Sequence, residues 1–202
     1  MKIQLEGIGK RFGKEWIFRK FDYTFCSGRS YAITGSNGSG KTTLLRSIAG
    51  ILNLNEGKIQ YSFQQKALSQ ELLFKHLVLV GPYTDLIQEF TLREIVEFHN
   101  TFKPLTLPPK EFFKVLELEK HINKPIRNFS SGMKQKLKLG LAIFTNNRVI
   151  LLDEPTTNLD KHNTDWYLRM ISEHIRDQLI VVSSNQPVEY GFCQEVINLN
   201  IC

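Results

Sequence analysis

The stretch Gly35-Ser36-Asn37-Gly38-Ser39-Gly40-Lys41-Thr42 constrains this chain more than any other. Its glycines let the backbone bend and turn its N–H groups inward, making a concave nest of donors around a phosphate chain. Lys41 can reach the β- and γ-phosphates, and the Thr42 hydroxyl can hold a magnesium ion. Such a loop requires a strand before it and a helix after it, and both are predicted. Ser30-Tyr31-Ala32-Ile33-Thr34 is short, β-prone and largely apolar. Thr43-Leu44-Leu45-Arg46-Ser47-Ile48-Ala49 has apolar residues at helical spacing, with Gly50 as a stop. That helix aims its positive end at the same anion. The pattern implies a nucleoside-triphosphate site in which Gly35, Ser36, Asn37, Gly38, Ser39, Gly40, Lys41, Thr42 and Thr43 surround the phosphates.

Length and composition bound the remainder. With 202 residues the chain fits one domain with a smaller lobe, ample for a sizeable core. The opening Met1-Lys2-Ile3-Gln4-Leu5-Glu6 is charged where a signal peptide would be apolar. No window approaches the roughly 18 apolar residues of a membrane helix. Cys26, Cys193 and Cys202 form neither a Cys-x-x-Cys pair nor a disulfide framework, and read as ordinary thiols of a reducing cytoplasm. The net charge of +6 is concentrated near the N-terminus (Lys10, Arg11, Lys14, Arg19, Lys20) and between Lys103 and Lys138. That surplus suits ATP, anionic lipid or nucleic acid, and equally suits a solvated surface.

Along the chain, Lys2 to Asp22 predicts short strands around Ile3, Leu5 and Trp16 to Phe18, broken by a turn at Arg11-Phe12-Gly13-Lys14. Further strands are predicted at Lys58 to Phe63 and His76 to Val80. From Thr91 the pattern becomes helical, opening on the capping box Thr91-Leu92-Arg93-Glu94. Pro104, Pro108 and Pro109 predict its end and a loop, followed by a short helix over Glu111 to Leu118.

Two more stretches carry chemistry. Arg148-Val149-Ile150-Leu151-Leu152-Asp153-Glu154-Pro155 reads as a buried parallel strand ending in two acids. Ligands sit at that edge of an open α/β sheet. There Asp153 can hold magnesium and Glu154 can polarise an attacking water. Asn128-Phe129-Ser130-Ser131-Gly132-Met133 leads into a helix with an apolar face at Met133, Leu137, Leu141 and Phe144. Either serine can cap it, leaving a second helix N-terminus ready for an anion.

The order of phosphate loop, Ser-Ser-Gly helix, Asp-Glu strand and Thr156-Thr157-Asn158-Leu159-Asp160 resembles the ATPase domain of an ABC transporter, over essentially the whole chain. The resemblance implies a single domain over residues 1–202. Its fold would be α/β of the P-loop NTPase type, with a mostly parallel core sheet, an N-terminal antiparallel β lobe and an α-helical lobe from about 84 to 145. It further implies ATP and Mg²⁺ as cofactors, with two ATP molecules sandwiched in a head-to-tail dimer. Phe129 to Met133 would be the signature loop, in which Ser130 and Gly132 contact the γ-phosphate held by a partner domain. Asn158 to Asp160 would cross that interface, Phe12 would stack on adenine, and Thr42 with Asp153 would place the metal. Lys41, Glu154 and Asn185 would act in catalysis.

Some positions depart from the family pattern. Asn185 stands where the family has its switch histidine, and an amide cannot shuttle a proton near neutral pH. At the glutamine loop, Pro82, or Tyr83 with a one-residue shift, replaces the glutamine, and Gln88 lies too far along to substitute. Ser131 and Met133 alter the signature. Intact ATP binding with slow or partner-dependent hydrolysis is therefore expected. The leading function is the ATPase subunit of a compact, exporter-like ABC transporter, haem-exporter-like systems included. It would act as a homodimer or a heterodimer with another ATPase subunit, peripheral on the inner face of the cell membrane beneath a separate permease. The alternatives are a nucleic-acid-associated ABC ATPase, which usually brings tandem heads or a coiled coil, and a regulatory nucleotide sensor with little turnover. No nucleic-acid partner is expected.

Overall fold

The chain opens on one long antiparallel hairpin, β1 (Lys2–Phe12) and β2 (Glu15–Cys26), turning at Gly13 and Lys14. These strands are longer than the short ones predicted. The pairing register slips between Leu5 and Ile8 and again between Ile8 and Lys10, so the in-out alternation that marks a strand breaks where the pairing continues. β1 also pairs with β4 (Glu56–Phe63), which pairs with β5 (Lys66–Leu68), giving an antiparallel sheet in the order β2-β1-β4-β5.

A second sheet has the order β6-β7-β8-β3-β9, where β3 is Ser30–Thr34, β6 Leu77–Val80, β7 Val149–Asp153, β8 Leu179–Ser183 and β9 Glu195–Asn198. The pairs β7/β8, β8/β3 and β3/β9 are parallel. β7 and β8 are buried at every position, as strands covered on both faces must be. Their registers set Ile33 and Asp153 level with Ser183, so three C-terminal strand ends meet at one edge. α1 (Lys41–Ile48) leaves that edge, and Leu44, Leu45 and Ile48 enter a core shared with Phe25, Tyr31, Ile33, Leu151 and Val181. Two short helices, α2 (Gln70–Leu73) and α7 (Pro187–Tyr190), complete this part.

The structure, a computed structural model, describes residues 1–199, so Cys202 lies outside the described residues. It divides into two units. The sheets belong mainly to the first, which holds Met1–Leu79, Arg148–Glu154 and the segment from Asp177 onward. The second holds Val80–Asn147 and Pro155–Arg176. Its helices are α3 (Leu92–Phe102), α4 (Pro109–Val115), α5 (Ser131–Ile143) and α6 (Lys161–His174). The capping box on α3 is complete: Thr91 Oγ1 accepts from the Glu94 N–H and Glu94 Oε2 from the Thr91 N–H. α4 begins earlier than predicted, because Pro109 occupies its first turn, where a missing N–H costs no hydrogen bond. It stops at Val115, and Glu117 follows with a left-handed φ of 57°.

α5 is the centre of this unit. Leu137, Leu141 and Phe144 are buried as predicted and Met133 is half-buried. Burial extends further, to Gln135, Lys136, Leu139, Gly140, Ala142 and Ile143, so the helix is enclosed nearly all round. Enclosure requires the Lys136 charge to be paired. Its Nζ donates to Glu117 Oε2 at 2.6 Å and lies 4.9 Å from the Trp166 ring centre. That ammonium, and then the His162 ring, hold the Glu117 carboxyl below the usual carboxylate range. Cys26 and Cys193 are free thiols, and burial pushes Cys193 up to about 12, as for an inert structural thiol. Among the described residues no helix is long and apolar enough to cross a membrane.

Candidate nucleotide-binding site

Between β3 and α1 the phosphate loop takes the shape its glycines allow. Gly38 and Gly40 have φ of 85° and 97°, and the Ser39 N–H donates to Ser36 O at 3.0 Å. Lys41 is buried, and its Nζ donates to Gly35 O at 2.8 Å and Ser36 O at 3.1 Å. The cation is thus folded into the loop on carbonyls that phosphate oxygens can replace. The buried Ser39 hydroxyl has no hydrogen-bond partner among the described residues, an orphan that a phosphate-bearing ligand would satisfy.

Gly40 has no tolerated replacement on two counts. A side chain at φ 97° is strained, and an added Cβ would collide with Ile17 Cγ2. Gly40→Ala is expected to cost roughly 1–2 kcal/mol in backbone strain alone. If that strain falls on the loop, nucleotide binding weakens by about tenfold or more. Titration with a fluorescent ATP analogue checks this, and an unchanged affinity would show that the loop absorbs the methyl group.

Asp153 and Thr42 are 111 positions apart, yet Thr42 Oγ1 donates to Asp153 Oδ2 at 2.7 Å. Asp153 is buried. A buried carboxylate beside a hydroxyl is a hard-oxygen donor pair, which suits magnesium completed by phosphate and water oxygens. No cluster of three or more His, Cys, Asp or Glu able to hold a metal occurs among the described residues.

Glu154 is exposed and adopts a left-handed φ of 47°, with its N–H on Ser183 O at 2.9 Å. That conformation is uncommon for a non-glycine residue, and the following Pro155 disfavours helical backbone there further. Strain of this kind is kept where a side chain must be aimed. Phe12 is 53% exposed and so lies outside the core; Lys10 Nζ lies 5.1 Å from its ring centre. Asn185, exposed beyond β8, accepts from the Gly35 N–H and donates to Asn37.

In the second unit, Ser130 rather than Ser131 caps α5, its Oγ accepting from the Met133 N–H at 3.2 Å. Gly132 lies against the Asn158 carbonyl, and Asp160 caps α6 by accepting from the Asn163 N–H at 2.9 Å. That backbone bond holds the Asp160 carboxyl below its ordinary range. Around Ser130, Gly132, Asn158 and Asp160 lies a cavity of about 430 Å³ also lined by Lys136 and His162. Gln88 is held on α5, its Oε1 accepting from Lys134 Nζ at 2.9 Å. Pro82 and Tyr83 occupy an exposed turn closed by hydrogen bonds between Gly81 and Thr84. The Lys134–Gln88 bond and the Lys138 Nζ bond to Gly81 O were not legible in the sequence, since neither lysine has a local partner pattern.

The family model for ABC transporters matches residues 18–157, spanning the phosphate loop, the signature helix and the Asp-Glu strand. The chain belongs to the ABC transporter family. Nod factor export ATP-binding protein I of Rhizobium sp. (strain N33) is 32% identical over 165 residues, covering 79% of this chain and 54% of that protein. The cytochrome c biogenesis ATP-binding export protein CcmA of Nitrosococcus oceani is 31% identical over 174 residues, 86% of this chain and 80% of that one. The chain spans about half the length of the Nod factor relatives it matches. A solved dimeric ATP-binding cassette, in a post-hydrolysis state with ADP and phosphate, shares the fold. Its TM-score is 0.80 over 97% of this chain and 93% of that one, at 22% identity. The α/β fold with a parallel core sheet and an antiparallel β lobe is therefore the ABC ATPase fold.

Proposed function

We propose that this chain is the ATP-binding and ATP-hydrolysing subunit of an ABC export system. It would work as an ATP-sandwiched pair of ATPase chains, identical or not, on a separate membrane permease at the inner face of the cell membrane. The observation that carries the reading is the Thr42 hydroxyl on the Asp153 carboxylate, beside a backbone-strained Glu154 and a lysine already folded into the phosphate loop. The export direction is supported by the names of the two relatives.

Each side chain then has a task. The loop amides and Lys41 neutralise the phosphates, and Thr42 and Asp153 supply oxygens for magnesium. Magnesium held by these two residues would supply positive charge to offset that of the phosphates. Glu154 orients and deprotonates the attacking water. Phe12 offers an exposed ring to adenine. Ser130 and Gly132 would complete the site of a partner chain from the capped end of α5. For the permease, the second unit exposes Phe98 and Phe102, whose ring centres are 5.3 Å apart, with the Phe90 ring 5.9 Å from Phe98. Apolar side chains grouped at a surface suit a docking partner.

Phosphate release from magnesium ATP by the purified protein tests the reading, with chelation by EDTA expected to stop it. Thr42→Ala is expected to lower turnover by about ten- to a hundredfold, the loss of one charge-assisted contact. Turnover that persists in EDTA, or that is unchanged in Thr42→Ala, would sink the metal assignment.

A further inference from the structure

Asn185 bonds two residues at the start of the phosphate loop, Gly35 and Asn37, with one carboxamide. Its Oδ1 accepts the Gly35 N–H at 3.2 Å, across 150 positions of sequence, and its Nδ2 donates to Asn37 Oδ1 at 3.3 Å. The other side of the Gly35 residue is held too, since its carbonyl accepts from Lys41 Nζ at 2.8 Å. Gly35 is therefore tied at its N–H to the loop after β8 and at its carbonyl to the phosphate-binding lysine.

A carboxamide suits this double contact. It carries donor and acceptor on a single carbon, so it can serve two neighbouring groups of a tight loop at once. A neutral imidazole also has one donor and one acceptor, but they lie apart on a ring and face divergent directions. The geometry thus uses what an asparagine offers and a histidine at this position does not.

We propose that Asn185 is a positioning residue of the phosphate loop: it fixes Gly35 and Asn37 in the nucleotide-binding shape instead of reading the γ-phosphate. The assignment rests on the nucleotide-binding reading above. A loop held in its bound shape before the ligand arrives loses less conformational freedom on binding. The benefit falls on every ligand whose phosphates enter the loop, with or without a γ-phosphate.

The comparison of ADP with ATP separates the two roles. Calorimetric Kd values are measured for both nucleotides on the wild-type protein, Asn185→Ala, Asn37→Ala and the double variant, each checked for folding by thermal melting. Asn185→Ala is expected to weaken ADP and ATP by the same factor, about three- to tenfold, the worth of one or two hydrogen bonds. Asn37→Ala keeps the Gly35 bond and is expected to have a smaller effect. On the Asn185→Ala background it should add less than it costs alone, because the two amides act through one contact. Loss of ATP affinity with ADP unchanged would overturn the proposal and assign Asn185 to the γ-phosphate. Unchanged affinity for both nucleotides, or strict additivity, would overturn it as well. A wild-type protein that binds neither nucleotide would instead bring down the nucleotide-binding reading itself, and this assignment with it.

Discussion

Glu154→Gln is expected to reduce ATP turnover by about 10²–10⁴-fold, the usual contribution of a positioned general base. ATP affinity should be preserved, and a nucleotide-bound dimer should accumulate. The substitution keeps the size of the side chain and removes its ability to take a proton. The bonds of the groups proposed to hold the phosphates and magnesium, Lys41 to Gly35 O and Ser36 O and Thr42 to Asp153, do not include the Glu154 side chain. A φ of 47° just before a proline is costly, and it is pinned by a hydrogen bond to the end of β8. Gln suffers the same backbone strain as Glu, so folding stability should be nearly unchanged and the loss should appear in kcat. Phosphate release together with size-exclusion chromatography in magnesium ATP checks both halves. Turnover at the wild-type rate in Glu154→Gln would remove Glu154 from the mechanism.

What the sequence made legible is what is local. The phosphate loop, the Asp-Glu strand and the capped Ser-Ser-Gly helix each owe their shape to residues within a few positions of one another, and the structure has each on the predicted element. The capping box at Thr91 was legible for the same reason. The alternation predicts only short strands in the hairpin because register slips interrupt it, although pairing runs on to Phe12. A proline-rich stretch predicts a loop through Pro109, whereas Pro109 starts α4, since a proline fits the first turn of a helix. Contacts over long sequence separations left no trace that a single chain could show. Asn185 could be matched to a position by counting along β8, but its two bonds to the phosphate loop depend on β8 lying beside β3. Gln88, too far along its loop to stand in for the family's glutamine, is bonded by Lys134, 46 positions away.

Gly132→Ala is expected to lower turnover by about a hundredfold, the scale of a misplacement of about 1 Å in a catalytic arrangement, while the affinity of the isolated chain for ATP stays as in the wild type. A Cβ on Gly132 would stand 2.9 Å from the Asn158 carbonyl oxygen, so one of the two backbones must move. The Asn158 loop cannot yield cheaply. Asn158 already has a left-handed φ of 67°, Leu159 N–H is bonded to Thr156 O at 2.9 Å, and Asp160 is committed to capping α6. The displacement therefore falls on the start of α5, where Ser130 caps Met133 and where a partner chain's phosphates are proposed to be met. Residues 35–43, proposed to hold the chain's own nucleotide, make none of these contacts. Paired with Gly40→Ala the variant splits the cycle: one glycine fails at nucleotide binding, the other after it, at assembly of the composite site. Equal losses of affinity and turnover in Gly132→Ala would mean that the methyl group damages the fold at large, and the signature loop would lose its separate role.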